Sequence, residues 1–98
     1  MTPWEEFRSV FPLDLFSSGL DRIQKRFERL PLVHQKTVVH HAKVYAAQYD
    51  GARDDLKRYF PKMRQWLYKD IWKDPMWALR LIQLKTEQWL QDRSSTNV

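Results

Sequence analysis

Apolar residues recur at steps of three and four residues along most of this 98-residue chain. That step matches one turn of an α-helix, and no stretch alternates apolar and polar residues for long enough to form a strand. The chain holds only two glycines and five prolines, so few positions interrupt the pattern. The sequence therefore predicts an all-α protein, a compact single domain of four to five helices over residues 1–93, with a flexible tail at 94–98.

Capping residues and apolar stripes mark where these helices should begin and end. Thr2 and Pro3 are suited to the N-cap and first position of an opening helix. Apolar stripes then predict helices over residues 20–30 and 33–49, the latter central, and a short helix around residues 63–67. Asp74 and Pro75 form an N-cap and first-turn pair for a last helix of about four turns.

Composition limits the classes of protein that the chain can belong to. It has no cysteine, which removes disulfides and thiolate chemistry and favours a reducing compartment. No signal peptide and no membrane-spanning run of about 20 apolar residues is visible. We therefore expect a cytoplasmic protein, a monomer or homodimer without contact to a membrane.

Enzyme chemistry finds little support in the residues. The chain has no glycine-rich phosphate loop, and its serines lie far from any histidine in sequence. His34 and His41 stand two helical turns apart, roughly 10 Å along the axis, which is too far for one metal ion without a third element. We interpret the histidines as residues that border an apolar stripe, and predict no catalysis, no metal site and no cofactor.

The positive charge is concentrated in one segment. The net charge is +5, and residues 53–73 supply four of these charges through seven cations and three acids. In "RYFPKMRQWLYKDIWKDP", residues 58–75, cations alternate with five aromatic residues, a combination that single-strand nucleic-acid binders use. The spacing of Met63, Trp66 and Leu67 also fits a buried helix face, so we assign the tryptophans to the core.

The cations of this segment remain open to two interpretations, solvent exposure or phosphate contact. The helix at residues 20–30 adds a second cationic face, for which a solvated surface laced with ion pairs to Asp21 and Glu28 is the alternative. The predicted nucleic-acid contacts are Arg58, Lys62, Arg64, Tyr68, Lys69 and Lys73, helped by Arg22, Lys25, Arg26 and Arg29.

The last helix carries more apolar residues than one narrow stripe can hold. Packing against its own domain would leave a second apolar face, which is typical of a site for a partner protein. The predicted interface residues are Trp77, Leu81, Trp89 and Leu90.

The segment "YFPKMRQWLYKDIWKD" resembles one commonly written "YIPHPSTWLNGGRWED" in phage and prophage DNA-replication proteins of the initiator, replisome-organiser and helicase-loader types. Without gaps, the identical positions are Tyr59, Pro61, Trp66, Leu67, Trp72 and Asp74. "WEEFRSVFP" and "RIQKRFERL" are similar to earlier phrases of that module, so the resemblance covers roughly residues 4–74. The chain departs from it at Lys62-Met63, Arg64 and Tyr68.

The resemblance implies a helical module that helps to assemble replication complexes on DNA in a bacterial cell and performs no catalysis. Joined to the cationic segment, it predicts a small replication accessory protein that binds DNA, mainly by neutralising phosphates. The alternative is an adaptor or inhibitor that docks through its last helix on a helicase, another replication component or a host protein.

Overall fold

The helices expected from the sequence are present in the computed structural model, which describes the backbone of residues 1–95 and the side chains of residues 1–91. The α-helices are α1 (Pro3–Val10), α2 (Leu20–Glu28), α3 (Leu32–Gly51), α4 (Asp54–Lys57), α5 (Met63–Tyr68) and α6 (Trp77–Ser95). Two 3₁₀ turns, Leu13–Leu15 and Ile71–Lys73, lie between them, and this part of the chain contains no strand. The prediction of an all-α compact domain is confirmed. The helical backbone continues through Ser94 and Ser95, which the sequence assigned to the tail, and the rest of that tail lies outside the described residues.

The helix ends follow local chemistry. Thr2 caps α1, since its hydroxyl accepts the backbone N–H of Glu5 at 3.2 Å, as the sequence predicted. Gly19 precedes α2 with φ of 76°, a left-handed conformation that glycine adopts without strain. The last helix begins at Trp77, two residues later than predicted, because Asp74 and Pro75 lie in a turn. The Asp74 carboxylate still accepts the N–H of Met76 at 3.1 Å.

An aromatic core joins four of the helices. Phe7 on α1 stacks on Phe27 of α2, with ring centroids 5.2 Å apart and planes 3° apart, and on Trp66 of α5 at 5.9 Å. Tyr45 of α3 lies 5.3 Å from the same tryptophan. Trp66 is 2% exposed and Trp72 is 5% exposed, so both belong to the core.

The central helix α3 positions the remaining elements. Helix α1 packs along α3. The hydroxyl of Tyr45 on α3 donates to the carbonyl of Pro61 at 2.7 Å, in the loop that leads into α5. His41 Nδ1 lies 2.6 Å from the carbonyl of Trp72. Because a carbonyl only accepts, Nδ1 carries the proton, and this bond joins the second 3₁₀ turn to α3.

Helix α6 runs in the same direction as α3 and lies against the end of it. Ala78, in its first turn, is buried beside His41 and Tyr45. Further along, Ile82 and Thr86 face Gly51 and the residues that follow it. Residues 87–91, the last whose side chains the structure describes, are exposed, whereas Ala78 and Ile82 pack on the domain.

Candidate nucleic-acid interface

Tyr68 joins the two cationic segments that the sequence singled out. It ends α5, is half-buried, and its ring centroid lies 5.3 Å from the Arg26 guanidinium carbon and 5.4 Å from that of Arg64. Its hydroxyl donates to the main-chain carbonyl of Arg22 at 3.5 Å. The ring face attracts cations, so one tyrosine holds two guanidiniums together.

The packing of α2 on α5 explains this arrangement. Ile23 and Phe27 on α2, and Trp66 and Leu67 on α5, point into the core. Arg64 and Tyr68 are one turn apart on α5 and share a side of it, where Arg64 is exposed and Tyr68 packs partly against the core. The contact between Arg26 and Tyr68 was not predicted from the sequence, because a local pattern does not give the angle at which two helices pack.

Four exposed arginines surround this position, and we call them the arginine cluster: Arg22, Arg26, Arg29 and Arg64. Arg22 and Arg26 lie one turn apart on α2, and Arg29 follows its last residue with helical backbone, so the three share one face. Lys25 extends the same exposed face. Guanidinium groups form paired hydrogen bonds with phosphate oxygens, and a cluster of them suits a polyanion.

The cluster lacks counter-charges. Among the described side chains, ion pairs join Lys43 to Glu6, Arg53 to Asp55, Lys57 to Asp54, Lys73 to Asp70 and Arg80 to Asp74. None of them includes an arginine of the cluster, Lys25, Lys62 or Lys69. The ion pairs to Asp21 and Glu28 that the sequence allowed on α2 are not formed within the described residues.

A small groove opens next to the cluster, between α2 and the end of α5. Its volume is about 180 Å³. It is lined by Arg26, Arg29, Leu30, Leu67, Asp70 and Trp72. Asp70 has φ of 56°, the only left-handed residue other than glycine in the described part of the chain, and its carboxylate lies 3.5 Å from Lys73 Nζ.

The other predicted contacts are distributed differently. Arg58 donates to the Tyr59 hydroxyl at 3.0 Å, and Lys85 of α6 lies 4.3 Å from the same ring, so Arg58 belongs to a surface formed by α4 and α6. Lys62 and Lys69 are exposed at the two ends of α5. Lys73 lies 5.7 Å from the Trp72 ring and pairs with Asp70.

Two of the four predicted protein-interface residues pack against the core, and two are exposed. Trp77 and Leu81 are half-buried against the core, whereas Trp89 is 46% and Leu90 is 50% exposed. Trp89 also lies 5.8 Å from the Arg53 guanidinium. Leu79 and Leu84, which were not among the predicted interface residues, are 43% and 52% exposed. They belong to the apolar excess already visible in the sequence, but only the packing of α6 decides which apolar residues face outward.

Among the described residues, no three histidine, cysteine or acidic side chains come close enough to hold a metal ion. None of the described helices is long and apolar enough to cross a membrane.

No protein-family model, curated protein or solved structure matches this chain. The resemblance to phage replication proteins stays a prediction from the sequence. The arginine cluster around Tyr68 is the largest group of exposed cations without ion pairs on the described surface.

Proposed function

We propose that this chain is a phage-type DNA-replication accessory protein that binds nucleic acid through the arginine cluster. The observation that carries the proposal is the pair of guanidiniums, Arg26 and Arg64, held 5.3 and 5.4 Å from the Tyr68 ring without a described carboxylate partner. The likeness of residues 4–74 to phage replication modules supports the biological setting.

The physical basis of binding is the neutralisation of phosphates. Each phosphate that a cation neutralises releases condensed counterions, so the logarithm of the affinity falls linearly with the logarithm of the salt concentration. Four contacts give a slope of about −4 on duplex DNA and about −3 on a single strand. Little base specificity is expected from these contacts, because phosphate oxygens carry no sequence information.

The test compares two triple variants with equal loss of charge. The first is Arg22→Gln, Arg26→Gln and Arg64→Gln, and the control is Arg8→Gln, Lys36→Gln and Arg80→Gln, which removes three exposed cations elsewhere. Each lost phosphate contact reduces the salt slope by about one, so the first variant should lose most of its slope and bind weakly. The control should keep its slope.

Fluorescence anisotropy with labelled DNA at several salt concentrations measures both quantities, and circular dichroism checks the fold. If the two variants lose the same affinity and the same slope, only net charge matters and the proposed site is wrong.

A second candidate function rests on α6. Leu79, Leu84, Trp89 and Leu90 together expose large apolar side chains on one helix, and aromatic anchors often dominate protein interfaces. We propose as the alternative that α6 docks on another replication protein, on a host protein or on a second copy of the chain. Light scattering would then detect an assembly that Leu84→Asp with Leu90→Asp disrupts while DNA affinity is unchanged. An unchanged oligomeric state and unchanged partner binding in that variant would refute it.

A further inference from the structure

We propose that the groove between α2 and α5 accepts one unstacked nucleobase, so that the ligand of the arginine cluster is single-stranded nucleic acid. This inference rests on the proposed function and adds strand selectivity to it. The arginine cluster explains attraction to any polyanion, whereas the groove next to it distinguishes a base that is free to leave its stack from one that is held in a duplex.

The size of the groove suits one ring system. Its volume of about 180 Å³ is below the roughly 300 Å³ at which pockets for drug-sized ligands begin. It is therefore too small for a whole nucleotide and large enough for a planar base. Leu30, Leu67 and Trp72 supply an apolar lining for such a ring.

The side chains around the groove offer a base a hydrogen-bond acceptor and offer its flanking phosphates two guanidiniums. The Asp70 carboxylate lines the groove and can accept a hydrogen bond from the N–H groups of a base. Arg26 and Arg29 line the same groove, and Arg26 also contacts Tyr68. A strand with one base in the groove would therefore place its neighbouring phosphates beside the arginine cluster.

The backbone at Asp70 lies in the left-handed region. The residue has φ of 56°, a conformation in which glycine would be unstrained and in which aspartate is among the better tolerated residues. Lys73 Nζ lies 3.5 Å from the carboxylate and neutralises part of its charge. The carboxylate lines the groove and is available there as an acceptor.

Trp72 serves as a wall of the groove. It is 5% exposed, and His34 and Lys73 lie 5.9 and 5.7 Å from its ring, so its face is not open to stack on a base. Leu30 is the partly exposed apolar residue at this groove and the best position at which to close it.

The experiment compares three ligands by fluorescence anisotropy at one salt concentration. They are a labelled single strand of roughly 10 nucleotides, within the usual site sizes of single-strand binders, the same strand with abasic sites, and the duplex. The single strand should bind about fivefold more tightly than the abasic strand, because moving the faces of one base out of water into an apolar groove contributes about that factor. The two single strands carry the same phosphate charge and should show equal salt slopes.

Groove-filling variants locate the effect. Leu30→Trp should reduce the affinity for the normal strand to that for the abasic strand and leave abasic binding unchanged. Leu13→Trp, which adds the same side chain at an exposed position of the first 3₁₀ turn, is the matched control and should change neither. If circular dichroism shows that Leu30→Trp fails to fold, Leu30→Phe takes its place.

Two results would overturn this inference and leave the proposed function standing. One is equal affinity for the normal and abasic strands, and the other is duplex binding as tight as that of the single strand. Absence of binding to all three ligands overturns both. The first comparison uses the unaltered protein, so it decides even if every variant misfolds.

Discussion

The hydrogen bond from Tyr45 to Pro61 gives a sharp test of how α5 is positioned. Tyr45 is 3% exposed, and its hydroxyl donates at 2.7 Å to the carbonyl of Pro61, which is also buried. Tyr45→Phe keeps the ring against Trp66 and removes only the donor. A buried carbonyl left without a partner costs about 1–3 kcal/mol, so the free energy of unfolding should fall by that amount. For a chain of this size, each kcal/mol lowers the melting temperature by roughly 4–8 °C.

The same hydroxyl makes stability depend on alkaline pH. Burial raises the pKa of Tyr45 above its ordinary value near 10, and the negative charge of ionised Tyr49 raises it further. Above about pH 10 the unfolded chain therefore loses a proton that the folded chain retains, and stability falls as pH rises. Below that value the contribution is fully present. Tyr45→Phe should be less sensitive to alkali than the unaltered protein.

Urea unfolding followed by tryptophan fluorescence, at neutral pH and near pH 11, measures both effects. Tyr59→Phe is the control, because Tyr59 is 38% exposed and its hydroxyl accepts from Arg58 at the surface. Should the two variants shift the unfolding midpoint equally at neutral pH, the bond to Pro61 does not stabilise the fold and the reasoning fails.

Three further changes test the packing, the turn and the surface. Trp66→Ala should cost about 3–5 kcal/mol in urea unfolding, because the side chain is 2% exposed in the core; a loss below about 1 kcal/mol would contradict that placement. Gly19→Ala should lower the free energy of unfolding by about 1 kcal/mol, because the φ of Gly19 is 76°. Gly51→Ala should raise it slightly, because Gly51 lies in α3 without a positive φ. Equal effects of the two variants would refute the conformational argument. Lys43→Met should change the melting temperature little, because exposed ion pairs contribute less than about 1 kcal/mol to stability. A large drop in melting temperature would contradict this and show that the 3.0 Å pair of Lys43 with Glu6 holds α1 against α3.

Local patterns in the sequence predicted the elements of the fold well. The stripe over residues 33–49 became α3, observed as Leu32–Gly51, with Val38, Val39, Ala42, Tyr45 and Tyr49 buried. The assignment of Trp66 to the core is confirmed by its contacts with Phe7 and Tyr45. These features depend on residues that are near one another in the chain, and helical periodicity reports them directly.

The arrangement of the site depended on contacts that no local pattern contains. Arg26 and Tyr68 are 42 positions apart, and Tyr59 and Lys85 are 26 apart, yet each pair is in contact. The sequence marked one cationic segment at residues 53–73, but the turn at Pro61 and the packing of α5 on α2 divide it. Arg58 goes to α4 and α6, while Arg64 joins the arginine cluster.

The arginine cluster also affects how the protein must be studied. Four like charges on one surface, without described counter-charges, repel one another and reduce the stability of the folded chain. Added salt screens this repulsion beyond about 8 Å at physiological ionic strength, and any polyanion that binds the folded state raises the melting temperature by mass action. A thermal shift with DNA therefore reports recognition only where it exceeds the shift produced by polyphosphate of equal charge.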